Sequence, residues 1–323
     1  MSRIEYKKFA TDETPHCFWD FDNVKRNLDF LDSIDAGYFQ HIADIHGSYL
    51  EGEEKQYAAT ALRVAYSHGL ESLFALLCAV AQSHDCIVGW MIRYKNSELD
   101  RVIGKIQNSE PVKTKLNVER VTWRLLADII FRHFKTGDED FDLRTRESFA
   151  EVWRRFALDH LEENHGIEYN NIKHGLRARP GGIKLAMSRV PHNPGEPAST
   201  DDMIVVSNSV FGSTFLVPEK LHDNRNFALT QQSVNWKPQK FIEALALISM
   251  SIRNVVTALK AFYGADPVNL KFTYCENIDE YDKPWEYEDH FKMAFNSIIK
   301  ESYITPFSKE EILSVYDKPD QTE

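Results

Sequence analysis

The sequence predicts an α+β fold, mainly helical, with an antiparallel helical bundle followed by a small antiparallel β-sheet and C-terminal helices. Three observations predict it. Apolar residues recur at three- and four-residue steps over long proline-free stretches of the first half. The period changes to two after Pro180-Gly181-Gly182, and helical spacing returns after Lys237-Pro238. Hydrophobic residues make up 43% of the 323-residue chain and aromatics 12%, enough for a large core, which excludes intrinsic disorder.

Taken in order, the stretch from Gln56 to Gln82 places Leu62, Ala65, Gly69, Leu70, Leu73, Phe74, Leu77 and Val80 on one broad face, a long buried helix. A second helix is expected over Val118 to Lys135, ended by the acidic, Gly-containing segment Thr136 to Asp142. A third is expected over Arg144 to Asn164, capped at Asn164-His165-Gly166. Ile183, Leu185 and Met187 alternate with Lys184, Ala186 and Ser188, and MIVVS, STFLV and NFALTQQSVNW follow between turn-rich pieces. Their close succession predicts an antiparallel meander of three or four strands. Lys237-Pro238 opens a helix apolar on several sides, running to Gly264; a short strand LKFTYC, a helix near Glu288 to Ser302 and a charged tail complete the chain. The domain reading is a helical bundle over 1–180, a meander over 181–236, and a C-terminal part over 237–323 that packs back on the bundle.

A net charge of −11 argues against a generic nucleic-acid coat, so binding to an anion has to be local. Cys17, Cys78, Cys86 and Cys275 lie far apart with no Cys-x-x-Cys, and no disulfide framework is expected. The polar start lacks the apolar core of a signal peptide, and the uninterrupted apolar run Phe74 to Ala81 is too short to cross a bilayer; a cytoplasmic protein without membrane attachment is expected. Phosphate-loop, dinucleotide-loop, Gly-x-Ser-x-Gly and His-Glu-x-x-His patterns are absent. The acidic loop Asp138 to Asp142 fails as a calcium loop, because Leu143 replaces the needed Gly and Phe149 the bidentate Glu. His41 and His46 stand five apart, pointing roughly 140° from each other on a helix, so a metal-dependent hydrolase built on His41, Asp44 and His46 has poor geometry. No metal and no cofactor is expected.

One segment concentrates positive charge: Asn170, Asn171, Lys173, His174, Arg177 and Arg179 fall within ten residues of an otherwise acidic chain. A short helix over Asn170 to Ala178 would align Asn170, Lys173, His174 and Arg177 on one face. Such a face suits a phosphate: Lys and Arg neutralise charge, Asn donates a hydrogen bond, and His exchanges a proton near neutral pH. The alternative is a polar helix end with its cations paired to carboxylates. On the early helix, His68 and Glu71 interrupt an apolar surface, and Glu71 is expected either to support the segment by pairing with Lys173 or Arg177 or to stay solvated at the helix edge.

The stretch Tyr66-Ser67-His68-Gly69-Leu70-Glu71-Ser72, together with Tyr169-Asn170-Asn171-Ile172-Lys173-His174-Gly175, resembles the HEPN superfamily of helical bundles over about residues 57 to 179. The resemblance implies RNA cleavage or nucleotide binding, a toxin or antiphage-defence setting, and a homodimer that joins two motifs in one cleft. It assigns His174, Asn170 and Lys173 to chemistry, and Arg177, Arg179, Asn171 and Tyr169 to substrate binding. Active members carry an Arg separated from the His by four to six residues; Tyr169 stands at that Arg position here, whereas Arg63 with His68, and Arg154 or Arg155 with His160, fit the spacing. A non-catalytic scaffold that binds a protein partner is the rival expectation.

Overall fold

Alternation rather than helical period shapes the start of the chain in the computed structural model, which describes residues 3–174, 177–188, 200–221, 225–266, 270–287, 291–295 and 299–316. The order is β1 (Glu5–Thr11), β2 (Thr14–Asp20), α1 (Asn23–Asp32), α2 (Tyr38–Gly47), α3 (Lys55–Ser83), α4 (Ile87–Arg93), α5 (Asn96–Gln107), α6 (Trp123–Ile130), α7 (Glu139–Leu161) and α8 (Glu163–Lys173). Then come β3 (Arg179–Pro180), β4 (Lys184–Ser188), β5 (Met203–Asn208), β6 (Gly212–Lys220), β7 (Phe227–Asn235), α9 (Pro238–Phe262), α10 (Lys283–Glu286), β8 (Lys292–Phe295) and α11 (Lys309–Leu313). The fold is α+β and mainly helical. It divides into two units: Met1–Tyr169 with Lys237–Glu288, and Asn170–Trp236 with Asp289–Glu323.

In the first unit, the β1–β2 hairpin is an addition to the sequence reading, which assigned no strand there. Phe9 and Thr11 turn inward while Tyr6 and Lys8 face out. Thr11 pairs with Thr14, so Asp12 and Glu13 alone make the turn, with Asp12 in the left-handed region at φ 52°. Its carboxylate takes hydrogen bonds from Arg101 Nε and Lys105 Nζ, both at 2.7 Å. Glu98 anchors the hairpin from α5: it accepts from Thr14 Oγ1 at 2.7 Å and Thr11 Oγ1 at 3.1 Å, and takes the Lys95 N–H at 3.0 Å at the start of its own helix.

The long helix α3 forms as its spacing predicts. Gly69 lies where a Cβ would meet Ile248 of α9 at 3.2 Å, a close approach that a side chain would crowd. α6 is shorter than expected because Thr122 caps its start by accepting from Leu125 N–H and the chain tightens into a 3₁₀ turn at Phe131–His133. Asp138 caps α7, accepting from Phe141 N–H, so this helix begins ahead of the expected Arg144 and the acidic loop is a helix start. Its end is also different: Glu162 is extended at ψ 117°, and the chain re-enters helix at once in α8, so there is no terminal cap at Asn164-His165-Gly166.

α3 and α9 are both long and apolar enough to cross a membrane, yet 78% and 61% of their most apolar windows are buried inside the fold, as in core helices. The stretch LKFTYC is not a ladder strand. Its Thr273 is held instead by the Asn254 side chain, which donates to Thr273 O at 2.7 Å and accepts from Thr273 N–H at 2.8 Å. A side-chain amide thus replaces the strand partner that periodicity alone cannot identify.

The second unit holds a four-stranded antiparallel sheet in the order β3–β6–β7–β8 and a separate β4–β5 hairpin, in place of one continuous meander. The helix expected near Glu288 to Ser302 is corrected in its described part. Lys292–Phe295 is a strand whose Phe295 lies opposite Gln231, because pairing with the open edge of β7 outweighs helical preference in so short a segment. Residues 288–290 and 296–298 lie outside the described residues.

Candidate functional site

α8 delivers the cationic segment. Asn170 is exposed, Asn171 is half-buried, Ile172 is buried, and Lys173 and His174 are exposed. The helix stops at Lys173; His174 N–H still reaches Asn170 O at 3.0 Å, and Arg177 N–H turns back to Asn171 O at 2.7 Å. The expected helix over Asn170 to Ala178 is therefore corrected: Arg177 lies beyond it in irregular chain, and Arg179 opens β3 opposite Thr214. Gly175 and Leu176 lie outside the described residues. His174, Arg177 and Arg179 are exposed, and none of the three has an ion-pair partner among the described residues.

Tyr169, at the position of the expected Arg, is half-buried; burial pushes its hydroxyl above the usual range, with the charge of Glu71 adding to the effect. The same carboxylate acts on Tyr94, which burial, Glu71 and Cys78 push up to about 12. Glu71 on α3 thus stands in the field of two phenols of the first unit. His68, also on α3, is exposed and packs edge-on against Phe39, with ring centroids 5.4 Å apart.

Sequence reasoning missed a buried clamp at the start of α8. Arg63 donates from Nε and Nη2 to Oε2 of Glu168 at 3.0 and 2.6 Å, and its Nη1 lies 2.5 Å from His165 Nε2. A guanidinium has no acceptor, so His165 Nε2 offers its lone pair and the ring carries its proton on Nδ1. Ser67 Oγ lies 3.0 Å from the same nitrogen, and the Phe241 ring sits 5.5 Å from the guanidinium. Beside it, Tyr66 stacks on Phe241 and donates to Asp159 Oδ2 at 2.5 Å, which also receives Lys240 Nζ at 3.0 Å. Arg63, Glu168, Ser67 and Lys240 are all buried. A signal was present: Arg63 is a permanent charge beside Leu62 in an apolar helix, and a buried cation requires a carboxylate. Because both ends of the ion pair face each other, the arrangement holds the first turns of α8 on α3.

The arginine–histidine spacings do not form sites. Arg63 turns to Glu168 whereas His68 turns to Phe39. Arg154 pairs with Glu151, Arg155 stacks 3.8 Å from the Trp285 centroid, and His160 lies 3.0 Å from Asp100. Among the described residues no group of three His, Cys, Asp or Glu side chains is placed to hold a metal ion; of the His41, Asp44 and His46 set, Asp44 accepts from Gln40.

Comparison with protein-family models, with curated proteins and with solved structures finds no match to this chain.

Proposed function

We propose that this chain is a HEPN-like cytoplasmic protein that binds RNA or a nucleotide phosphate through Lys173, His174, Arg177 and Arg179, and that it acts as a homodimer of the toxin or antiphage-defence type. The observation that carries the reading is the exposure of His174, Arg177 and Arg179 without carboxylate partners among the described residues, in a chain of net charge −11. In cleavage, the ribose 2′-hydroxyl attacks the adjacent phosphorus and the 5′-oxygen leaves. His174 removes or returns the proton, Arg177 or Lys173 neutralises the phosphorane, and Asn170 and Asn171 orient the phosphate, with Arg179 and Tyr169 on the neighbouring nucleotide. Arg177, on irregular chain, is free of helical register in reaching an anion.

Incubation of the protein with mixed RNA in EDTA, repeated at raised salt, tests this. The expectation is salt-sensitive binding or cleavage, with His174→Ala abolishing cleavage while the fold is retained, and Arg177→Ala with Arg179→Ala reducing the salt dependence by about two counterions. Absence of binding at low salt sinks the reading.

A second reading, a non-catalytic scaffold for a protein partner, has its own support. The β4–β5 hairpin exposes Met187, Met203, Ile204, Val205 and Val206 together, and a two-stranded hairpin with bare apolar residues gains from being covered. Titration with RNA separates the two, since apolar cover predicts no salt-dependent RNA affinity.

A further inference from the structure

The first unit contains a cavity at the end of α3. Its volume is about 400 Å³, within the range of small-molecule sites. Local sequence makes the space. The last turns of α3 place Val80 and His84 one turn apart on one side, and α9 supplies Ala258 and Ala261, whose small side chains leave room beside Leu259 and Phe262. Ile129 and Ile130 close the floor from the end of α6, and the 3₁₀ turn that cuts this helix short swings Arg132 and His133 to the rim.

The lining has a one-sided charge. Lys115 and Arg132 contribute to it, with His84 and His133 beside them, and no Asp or Glu is among the described residues of the lining. Lys115 is paired with Asp85 at 2.7 Å, a carboxylate it shares with Lys7 at 3.8 Å. Arg132 is exposed and has no ion-pair partner among the described residues. His84 stands with its ring 4.7 Å from Phe262, and its Nδ1 is buried with no hydrogen-bond partner. Buried polar atoms are nearly always satisfied, and this unpaired one belongs to a residue of the lining. Burial lowers the His84 pKa, with the Asp85 charge opposing and Lys115 reinforcing it.

We propose that this cavity binds a small organic anion with an apolar body: the body lies among Val80, Ile129, Ile130, Leu259 and Phe262, and the anionic head meets Arg132 at the rim, beside the Lys115–Asp85 pair. The apolar walls disfavour a bare inorganic ion, and the cationic rim distinguishes the site from one for neutral hydrophobes. A carboxylate and a phosphate monoester share this chemistry.

Fluorescence titration of the full chain with 8-anilinonaphthalene-1-sulfonate tests the proposal, with its uncharged analogue N-phenyl-1-naphthylamine alongside. Saturable one-site binding of the anionic dye is expected, weakened about tenfold or more by Arg132→Gln, whose exposed position leaves folding intact. Ala261→Trp should fill the space and remove the signal, with circular dichroism confirming the fold; if that variant does not fold, the Arg132→Gln result decides. The neutral dye should bind more weakly and ignore Arg132→Gln. Displacement by octanoate identifies an acyl carboxylate and displacement by phenyl phosphate a phosphate monoester. Dye binding that is absent, that is unchanged by Arg132→Gln, or that neither competitor displaces overturns the proposal.

Discussion

Asn254 in the first unit and Asn235 in the second do the same job with opposite surroundings. Each is buried, and each uses its amide to pair with a backbone as a neighbouring strand would: Asn254 with Thr273, and Asn235 with Ile183, whose N–H it receives at 2.8 Å and whose carbonyl it reaches at 3.0 Å. Asn254 works inside a core where Trp153 donates to Ser251 one helical turn earlier and Val255 is fully buried. Asn235 instead ties down the start of a hairpin, also donating to Ser207 Oγ at 2.7 Å, while Val205 and Val206 of that hairpin remain exposed. A polar clamp in the first unit completes a packed layer, whereas in the second it carries an element that packing does not. The stability of the second unit is therefore expected to be local and that of the first cooperative.

The largest effect that sharpens this contrast lies at the Arg63–Glu168 clamp. Arg63→Met leaves a carboxylate buried without its cation, which costs about 3–5 kcal/mol, and the urea midpoint of the whole first unit should fall. Adding Glu168→Leu removes the stranded charge and should recover most of the loss. If the double variant is no more stable than the single one, the clamp is not an ion pair in the energetic sense. Truncation of the amides comes next. Asn254→Ala orphans two backbone groups and should lower global stability by about 2–3 kcal/mol. Asn235→Ala should leave the global midpoint almost unmoved while hydrogen exchange of residues 184–188 and 203–208 accelerates. Equal global losses from the two variants would erase the distinction between the units.

How much of this could be read from the sequence follows from where each structure draws its support. α3 was legible because its own periodicity records its burial, and the strands after Gly182 because they alternate. The β1–β2 hairpin was not: its turn is Asp12-Glu13 rather than a glycine-bearing pair, and Glu98, a residue remote in sequence, secures it. LKFTYC and the segment holding β8 were exchanged, strand for irregular chain and helix for strand, since each is decided by a partner supplied from elsewhere, Asn254 in one case and β7 in the other. At the site, composition reveals the cationic segment but not the end of its helix at Lys173, and the sequence around Arg63 shows its spacing to His68 but not its buried partner on α8.

The smallest effect concerns acid. Burial alone raises the Glu98 pKa, but hydrogen bonds from Thr14, the Lys95 backbone and Thr11 outweigh it and hold the carboxyl below its usual range; Asp12 behaves alike, with burial outweighed by Lys105 and Arg101. Both groups therefore bind a proton less readily folded than unfolded, so unfolding takes up protons in acid. The stability they contribute is complete above the unfolded carboxylate range, near pH 4, and is lost as pH falls through the lower folded values. Glu98→Gln should cost about 1.5 kcal/mol at neutral pH and progressively less as acid protonates the native carboxyl below the usual carboxylate range. Urea midpoints of the two proteins should converge on acidification. A gap that stays constant with pH would show that Glu98 secures the hairpin by shape rather than by charge, and would place the first unit's acid sensitivity elsewhere.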